Sequence, residues 1–395
     1  MKRYLATGRF WVTLLILLSA CVPVGGPQAP QPGEAEPIKI GVIEPLSGPA
    51  ADAGSYVVNG ARIAVDRING RGGVLGRKLT LVIEDNKSDP AETVSATEKL
   101  ITRDRVPVIM GAWGSSMTLA AIPVVQRYGI PLLVETSSSV KITTPENTWV
   151  FRISPTSPME ADATRDLLPS LGLNACDFLS VNTDWGRGAE EAFRAALQQV
   201  GGKAGQALFF DQAATDFSPQ ITRLRDSELP CVIITTNAPQ IAQILRQMQE
   251  LGVRKRVLTT GGSNFPDAIV EQAGREAAEG SYHIVFFTPW YPNESAVPDE
   301  AEAFVRDYQQ RYPWRGVGEA YRGYDGIKVI AAAIERAQVP EPARIRDALK
   351  DTRICGLSGC FVFNEIRQAR PDIFVVQVRD GKAVIVARSL SPRFR

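Results

Sequence analysis

Two neighbouring segments of similar design decide the fold of this chain. They read VPVIMGAWGSS at residues 106–116 and IPLLVETSSS at residues 130–139. Each begins with a short apolar run typical of a buried strand and ends in serines, and residues 117–128 between them carry apolar side chains at helical spacing. The pattern therefore predicts a strand, a serine loop, a helix, a second strand and a second serine loop. Both loops then lie at the carboxyl edge of a parallel sheet, where such sheets bind ligands.

The serines of the two loops are candidates for holding a hydrogen-bond acceptor. Ser115 and Ser116 stand where the helix should begin, so free backbone N–H groups accompany their hydroxyls. Ser137, Ser138 and Ser139 follow the second strand. Together these groups suit an anionic end of a ligand, although serine at a helix start is also the usual N-cap residue and can serve that purpose alone.

The alternation of strands and helices extends outward over most of the 395 residues. Residues 38–153 contain five predicted strands and three predicted helices, and a second series runs from residue 159 to residue 260. Two such series predict an α/β protein with two doubly wound lobes. Further helices are predicted at 301–312, 321–337 and 342–349, and short antiparallel strands near the end of the chain meet in a hairpin at residues 379–382.

The first residues have the features of an export signal. Three basic residues precede an apolar run at residues 10–18, and Leu-Ser-Ala-Cys ends at Cys21. We expect residues 1–21 to be a lipoprotein signal whose Cys21 carries lipid, the alternative being an ordinary secretory signal. Residues 22–37 contain five prolines and three glycines. They should form a semi-extended tether reaching roughly 50 Å at about 3 Å per residue.

Charge and residue types limit the possible functions. Removing residues 1–20 takes three of the 44 Lys and Arg and leaves 41 against 43 Asp and Glu, a net charge of −2, so no nucleic-acid partner is predicted. The single histidine, His283, lies in an apolar strand without a nucleophile motif beside it. The sequence has no P-loop and no C-x-x-C pair. We therefore predict no enzyme, no cofactor and no metal site.

The ordered segments resemble those of the branched-chain amino-acid binding proteins of ABC importers. The similarity lies in the opening strand and helix, the two serine segments, and the short runs GGVLG at 72–76, EDN at 84–86, DWG at 184–186 and YDG at 324–326. It runs from residue 38 to about residue 387. The resemblance implies a type I periplasmic-binding-protein fold, in which two lobes are joined by three crossovers.

The resemblance also implies where the lobes divide. We expect crossovers near residues 154–157, 284–288 and 353–359. The first lobe would then comprise residues 38–156 and 286–354, and the second residues 157–285 and 355–395.

By the same resemblance, a ligand lies between the lobes. Ser115, Ser116 and the loop of Ser137 to Ser139 would hold its carboxylate, and Trp185 would contact it from the second lobe. Trp113 and Tyr321 are further candidates to line the cleft, with core or rim packing as the alternative for each, and for Trp185 as well.

Two positions depart from the amino-acid binders. We expect the end of the ligand away from its carboxylate to meet Trp185, Asn237 and the loop of residues 261–264 that ends at Asn264. Asn237 and the next residue stand where the amino-acid binders place an aromatic contact, and this loop stands where they place an acid that holds the ligand's ammonium. A buried ammonium without a partner is costly. We therefore predict a ligand with a carboxylate or amide head and no obligatory ammonium, unless Asp184, Asp267 or Asp325 turns into the cleft.

Four cysteines remain after Cys21, and an even number in an exported protein indicates disulfides. Cys355 and Cys360 bracket Gly-Leu-Ser-Gly, which is flexible enough to close a short loop. Cys176 and Cys231 start two strands that are neighbours in a 2-1-3 strand order, so they can also meet. The alternative for this second pair is two buried thiols.

The leading hypothesis is a monomeric, lipid-anchored binding protein of an ABC importer. Its lobes would close over a small polar ligand, and the closed form would dock on membrane permease subunits. One alternative is a ligand-sensing lipoprotein of the same fold that reports to a receptor or regulator. Another is a lipoprotein that binds a second protein and has lost its ligand site.

Overall fold

A computed structural model of the chain describes residues 35–394, which are built around two separate, mainly parallel sheets. The strands of the first are β1 (Ile38–Glu44), β2 (Leu79–Asp85), β3 (Ile109–Gly111), β4 (Leu132–Val134) and β5 (Val150–Arg152). They are all parallel and lie in the order β2-β1-β3-β4-β5. Three helices connect them: α1 (Ala51–Gly70), α2 (Pro90–Thr102) and α3 (Ser115–Tyr128).

The second sheet has seven strands and includes the end of the chain. The remaining strands are β6 (Ala175–Val181), β7 (Lys203–Phe210), β8 (Cys231–Thr235), β9 (Arg256–Thr259), β10 (Tyr282–Val285), β11 (Arg353–Gly356), β12 (Gly359–Val362), β13 (Ile373–Arg379) and β14 (Lys382–Ser389). The sheet order is β14-β13-β10-β9-β8-β6-β7. β13 runs antiparallel to both of its neighbours, β10 and β14, and all other neighbouring pairs are parallel. β11 and β12 form a separate antiparallel hairpin.

Nine further helices pack around these sheets. They are α4 (Ser157–Arg165), α5 (Asp184–Gln199), α6 (Ser218–Arg225), α7 (Ala238–Glu250), α8 (Pro266–Ala273), α9 (Arg275–Ala278), α10 (Pro298–Arg311), α11 (Val317–Ala337) and α12 (Pro342–Lys350), with 3-10 turns at Pro292–Glu294 and Trp314–Gly316. The chain passes to the second sheet after β5. It returns after β10 to pack α10 and α11 on α1, and it crosses again to reach β13.

Two glycines allow α1 and α11 to pack backbone to backbone. A Cβ atom at Gly60 of α1 would lie 1.6 Å from the carbonyl oxygen of Ala320, and one at Gly323 of α11 would lie 1.9 Å from that of Val57. Any side chain at either glycine would force the helices apart. This contact fixes α11 beside β4, at the carboxyl edge of the first sheet.

The predicted α/β class, with two parallel sheets, is confirmed, and so is the hairpin at residues 379–382. Both predicted disulfides are present, joining Cys176 to Cys231 and Cys355 to Cys360. The first pair lies at matched positions of β6 and β8, which are neighbours as the 2-1-3 order requires.

Some boundaries differ from the prediction. The sequence predicts helices over residues 56–69 and 159–171, whereas α1 already begins at Ala51 and α4 ends at Arg165. The hairpin of β11 and β12 and the short helix α8 were not predicted. The expected signal, Cys21 and most of the tether lie outside the described residues. Within residues 35–394, none of the helices combines the length and apolar character needed to cross a membrane.

Candidate functional site

The two serine loops meet at the carboxyl edge of the first sheet, as the sequence predicts. β3 leads into the start of α3, and β4 leads into the second loop. The backbone N–H of Ser139 donates to Ser115 Oγ at 3.2 Å, and the hydroxyls of Ser137 and Thr118 lie 2.7 Å apart. These bonds hold the two loops together as one surface.

Two adjoining cavities lie on this surface, with about 250 Å³ and 360 Å³ of space between atoms, open solvent included, of which about 20 Å³ in each is wide enough for the centre of a water molecule. They share four residues, namely Trp113, Gly114, Ser115 and Trp185. The first is completed by Thr136, Ser137, Ser138, Gly261 and Ser263. The second is completed by Ser116, Met117, Val181, Thr183, Gln212, Thr236, Asn237 and Gln240. No residue that lines either cavity carries a charged side chain.

Hydrogen-bond donors concentrate on one side of the first cavity. The helix α3 starts after Gly114 without a side-chain cap, so the N–H groups of its first residues have no partner within the helix. The indole N–H of Trp113 is buried and also has no partner, although only 4% of the residue is exposed. An acceptor placed here would satisfy donors that are otherwise unused.

Gly114 makes this helix start accessible. Its φ is +91°, and a Cβ atom there would lie 2.2 Å from Met117 Cε. A larger residue would therefore be strained and would crowd the first turn of α3.

Trp185 forms the opposite wall. It lies in the first turn of α5, whose N-cap Thr183 accepts a hydrogen bond from the N–H of Gly186. Its ring packs directly on Gly261, where a Cβ atom would be only 2.2 Å from Trp185 Cζ2. Because Gly261 has no side chain, the indole can lie against its backbone beside the cavity.

The structure gives Ser116 a contact that the sequence does not predict. Its hydroxyl lines the second cavity but donates to Asp184 Oδ2 at 2.9 Å, and Lys141 Nζ lies 3.3 Å from Asp184 Oδ1. Ser116 and Lys141 belong to the first sheet's layer, whereas Asp184 starts α5 on the second. The three side chains therefore bridge the mouth of the cleft.

The remaining candidates divide into cavity residues and core residues. Asn237 lines the second cavity and also caps α7 by accepting from the N–H of Gln240. Asn264 and Tyr321 do not line either cavity. Asn264 is fully buried and donates to Thr259 Oγ1 at 2.7 Å, and Tyr321 borders a separate cavity beside Glu135 and Arg322.

None of the three aspartates that the sequence left open turns into the cavities. Asp184 is held by Ser116, as described above. Asp267 accepts from the indole N–H groups of Trp290 and Trp314, at 2.9 Å and 2.5 Å. Asp325 accepts from the backbone and hydroxyl of Ser358 in the β11–β12 turn, and burial raises its pKa to about 6.

Sequence reasoning missed a buried charged cluster that lies behind the cavity walls. It comprises Glu44, Glu135, Glu160 and Glu319 around Arg322, and all five are at most 8% exposed on the side chain or residue. Arg322 Nε donates to Glu319 Oε2 at 2.8 Å, and Glu160 Oε2 accepts from the N–H of Gly261 at 2.7 Å. The signal available was Glu319 and Arg322, an acid and a base three residues apart on α11.

Burial raises the pKa of every carboxyl in this cluster. The pKa of Glu160 rises to about 8, against the opposing effects of the Gly261 N–H and of Arg322. The pKa of Glu44 is raised well above its usual value by burial and by the neighbouring charge of Glu135.

His283 is a satisfied core residue. Its ring nitrogens lie 2.8 Å from the hydroxyls of Thr259 and Ser281, and burial lowers its pKa to about 3. Thr259 and Ser281 are buried with the ring, and none of the three residues lines either cavity. Among residues 35–394, no group of three or more His, Cys, Asp and Glu side chains is arranged to hold a metal ion.

Comparison with known proteins places this geometry in context. A model of the family described as periplasmic binding protein matches residues 37–383. The Leu/Ile/Val-binding protein BraC3 of Rhizobium johnstonii is 27% identical over 318 residues, which cover 80% of this chain and 83% of that protein.

Solved structures agree in fold. The leucine-binding protein LivK of Thermotoga maritima is similar with a TM-score of 0.79 at 26% identity, covering 89% of this chain and 99% of that chain. A solute-binding protein of an ABC transporter from Rhodopseudomonas palustris, in complex with 3,4-dihydroxybenzoic acid, has a TM-score of 0.79 at 22% identity and covers 90% and 97%. The second of these comparisons concerns the fold alone.

Proposed function

Since the chain belongs to the periplasmic binding protein family, we propose that it is the substrate-binding protein of an ABC importer and takes a small carboxylate or amide without an obligatory ammonium. One observation carries the proposal. The walls of the two cavities offer N–H and O–H donors but no charged side chain.

The donors favour one end of the ligand over any other group. The free N–H groups at the start of α3, the Trp113 indole and the Ser115 hydroxyl all donate, and a helix N-terminus favours negative charge. A carboxylate would accept from all of them. A ligand ammonium would find no carboxylate on these walls and would lose its hydration without compensation.

The body of the ligand would lie between Trp113 and Trp185, which line both cavities. Indole walls favour flat or branched apolar groups through contact area. Leucine, named for LivK, and 3,4-dihydroxybenzoate, bound in the R. palustris protein, both pair a carboxylate with such a body. The cavity walls here favour the kind that lacks the ammonium.

Delivery to a permease would follow from closure of two lobes around the three crossovers. We propose that residues 38–156 and 286–354 form one lobe and residues 157–285 and 355–395 the other. We also propose that lipid on Cys21 anchors the protein outside the cytoplasm, with residues 22–37 as the tether. The native protein should then partition into the detergent phase, and the Cys21→Ala variant should not. Equal partitioning of the two proteins would contradict the lipid anchor.

The ligand proposal is tested by releasing the small molecules that copurify with the denatured protein and identifying them by mass spectrometry. We expect a monocarboxylate or amide without a free amino group. Recovery of a stoichiometric α-amino acid would contradict the proposal.

A further inference from the structure

We propose that Glu160 and Arg322 are positioning residues for the ligand site, which grip the two backbone groups of Gly261 and thereby fix the Trp185 wall. Neither side chain lines the two cavities. The inference rests on the contacts of Gly261 and does not depend on which ligand the protein takes.

Gly261 is held at both ends of its backbone. Its N–H donates to Glu160 Oε2 at 2.7 Å, and its carbonyl oxygen accepts from Arg322 Nη2 at 3.3 Å. Its φ is +87°, which favours glycine, and the Trp185 ring packs directly against this residue. A shift of this one residue must therefore move or release the indole.

The two gripping side chains come from different layers of the molecule. Glu160 lies on α4, which packs against α5 and β13 of the second sheet, and Gly261 directly follows β9 of that sheet. Arg322 lies on α11, which packs against α1 and β4 of the first sheet. The contact between Arg322 and Gly261 therefore joins the two halves at the cavity wall.

We call Glu160 and Arg322, which contact the two backbone groups of Gly261, the clamp. Further side chains around Arg322 hold its guanidinium in place. Glu319 on α11 accepts from Arg322 Nε at 2.8 Å and so holds the guanidinium beside the Gly261 loop. The ring of Tyr321 lies 5.1 Å from the Arg322 guanidinium carbon, and that of Phe286 lies 5.5 Å from it. These contacts hold the guanidinium whose Nη2 donates to the Gly261 carbonyl oxygen.

The clamp is tested by hydrogen exchange of the Gly261 amide in the complete exported protein, without added ligand. Glu160→Ala removes the acceptor and should accelerate exchange of this amide about tenfold. Glu160→Gln keeps an acceptor oxygen in the same place and should stay within about threefold of the native rate. The tryptophan emission of Glu160→Ala should shift to the red, and Trp185→Phe should abolish that shift.

A matched control separates the clamp from general loosening. Glu190 is also a buried glutamate with an arginine partner, Arg194, but it lies on α5 away from the Gly261 loop. Glu190→Ala should leave the exchange of Gly261 unchanged.

Arg322→Lys provides a second variant if Glu160→Ala does not fold, because lysine cannot bond Glu319 and Gly261 together. It should also accelerate exchange of the Gly261 amide. Native exchange in both clamp variants, or equal acceleration in Glu190→Ala, would overturn the proposal.

Discussion

The indole N–H of Trp113 is the most informative single group in the molecule. Buried donors without partners are uncommon in folded proteins, and each costs stability. Trp113 lines a cavity at the start of a helix whose first N–H groups are also free. We interpret it as a ligand donor that stays unsatisfied until a carboxylate or amide arrives.

Replacing Trp113 by phenylalanine tests this role. Trp113→Phe keeps an aromatic wall but removes the donor, so affinity for the copurified ligand should fall about five- to tenfold, the value of one hydrogen bond of about 1 kcal/mol. The thermal midpoint should not fall to the same extent, since an unpaired buried donor is removed. Calorimetric titration measures the affinity, with Trp149→Phe as the control outside the cavities. Native affinity in Trp113→Phe would contradict the role.

Glu160 should make stability depend on pH in a definite direction. Burial raises its pKa in the folded protein to about 8, above the ordinary value near 4.5. The unfolded chain therefore releases this proton at lower pH, and the free energy of unfolding should fall by up to about 1.4 kcal/mol per pH unit as pH rises between those values. The Glu160→Gln variant has no carboxyl to titrate at this position, so it lacks this contribution to the pH dependence of the free energy of unfolding. The native midpoint should thus decline relative to that of Glu160→Gln from pH 5 to pH 8, and parallel curves would contradict the shifted pKa.

At this scale the sequence identified the serine loops and Trp185, because strand ends and helix starts can be read locally. The sequence also placed Asn264 and Tyr321 in the cleft, whereas in the structure neither residue lines the two cavities. Whether a residue after a strand points into a cleft or into the core depends on neighbours distant in sequence, such as Thr259 for Asn264.

At the scale of elements, the first turns of α3 and α5 meet at the mouth of the cleft. Ser116 and Lys141 from one half bond Asp184 from the other. We interpret these contacts as a clasp on the closed form. Lys141 and Asp184 have side chains that are 70% and 35% exposed, so their ion pair should be weak and sensitive to salt.

Neutralising the clasp should speed ligand release. Asp184→Asn loses the charge, and we expect release up to about fivefold faster at low salt, equivalent to at most about 1 kcal/mol. The difference from the native protein should shrink in high salt. Stopped-flow fluorescence measures the rate, and Asp166→Asn, an exposed partner of Arg165 alone, is the control. Equal rates for native protein and Asp184→Asn at low salt would exclude the clasp.

The two disulfides should contribute unequally to stability. Cys176 and Cys231 close 55 residues and join β6 to β8, whereas Cys355 and Cys360 close only five. Loop entropy predicts about 4 kcal/mol for the longer loop and about 2 kcal/mol for the shorter one. Double serine variants compared by denaturant unfolding should show this order. A larger loss for the Cys355 and Cys360 variant would contradict it.

Elements with a strong period were predictable, and irregular ones were not. The apolar spacing that indicates α3, α7 and α11 comes from the buried face of each helix. α1 was placed too short because it begins at Ala51 without a side-chain cap, so no Ser, Thr, Asp or Asn marks its start. The hairpin of β11 and β12 depends on Asp325 of α11, which binds its turn from 32 residues away.

At the scale of the whole molecule, the proposed ligand site lies where two sheets present their loops to each other. The order of segments along the chain was enough to predict an α/β fold with two sheets, because each βα unit repeats a local pattern. The charged cluster around Arg322 could not be predicted in this way. Its members come from β1, the loop after β4, α4 and α11, and only the packing of both halves brings them together.

The central claim is that the cavity recognises a carboxylate or amide and does not require an ammonium. A calorimetric comparison of leucine with its deaminated 2-keto analogue tests this most directly, because the two share a carboxylate and a side chain and differ in the ammonium. We expect the keto acid to bind at least as tightly as leucine. Micromolar or tighter binding of leucine, with no binding of the keto acid, would contradict the claim.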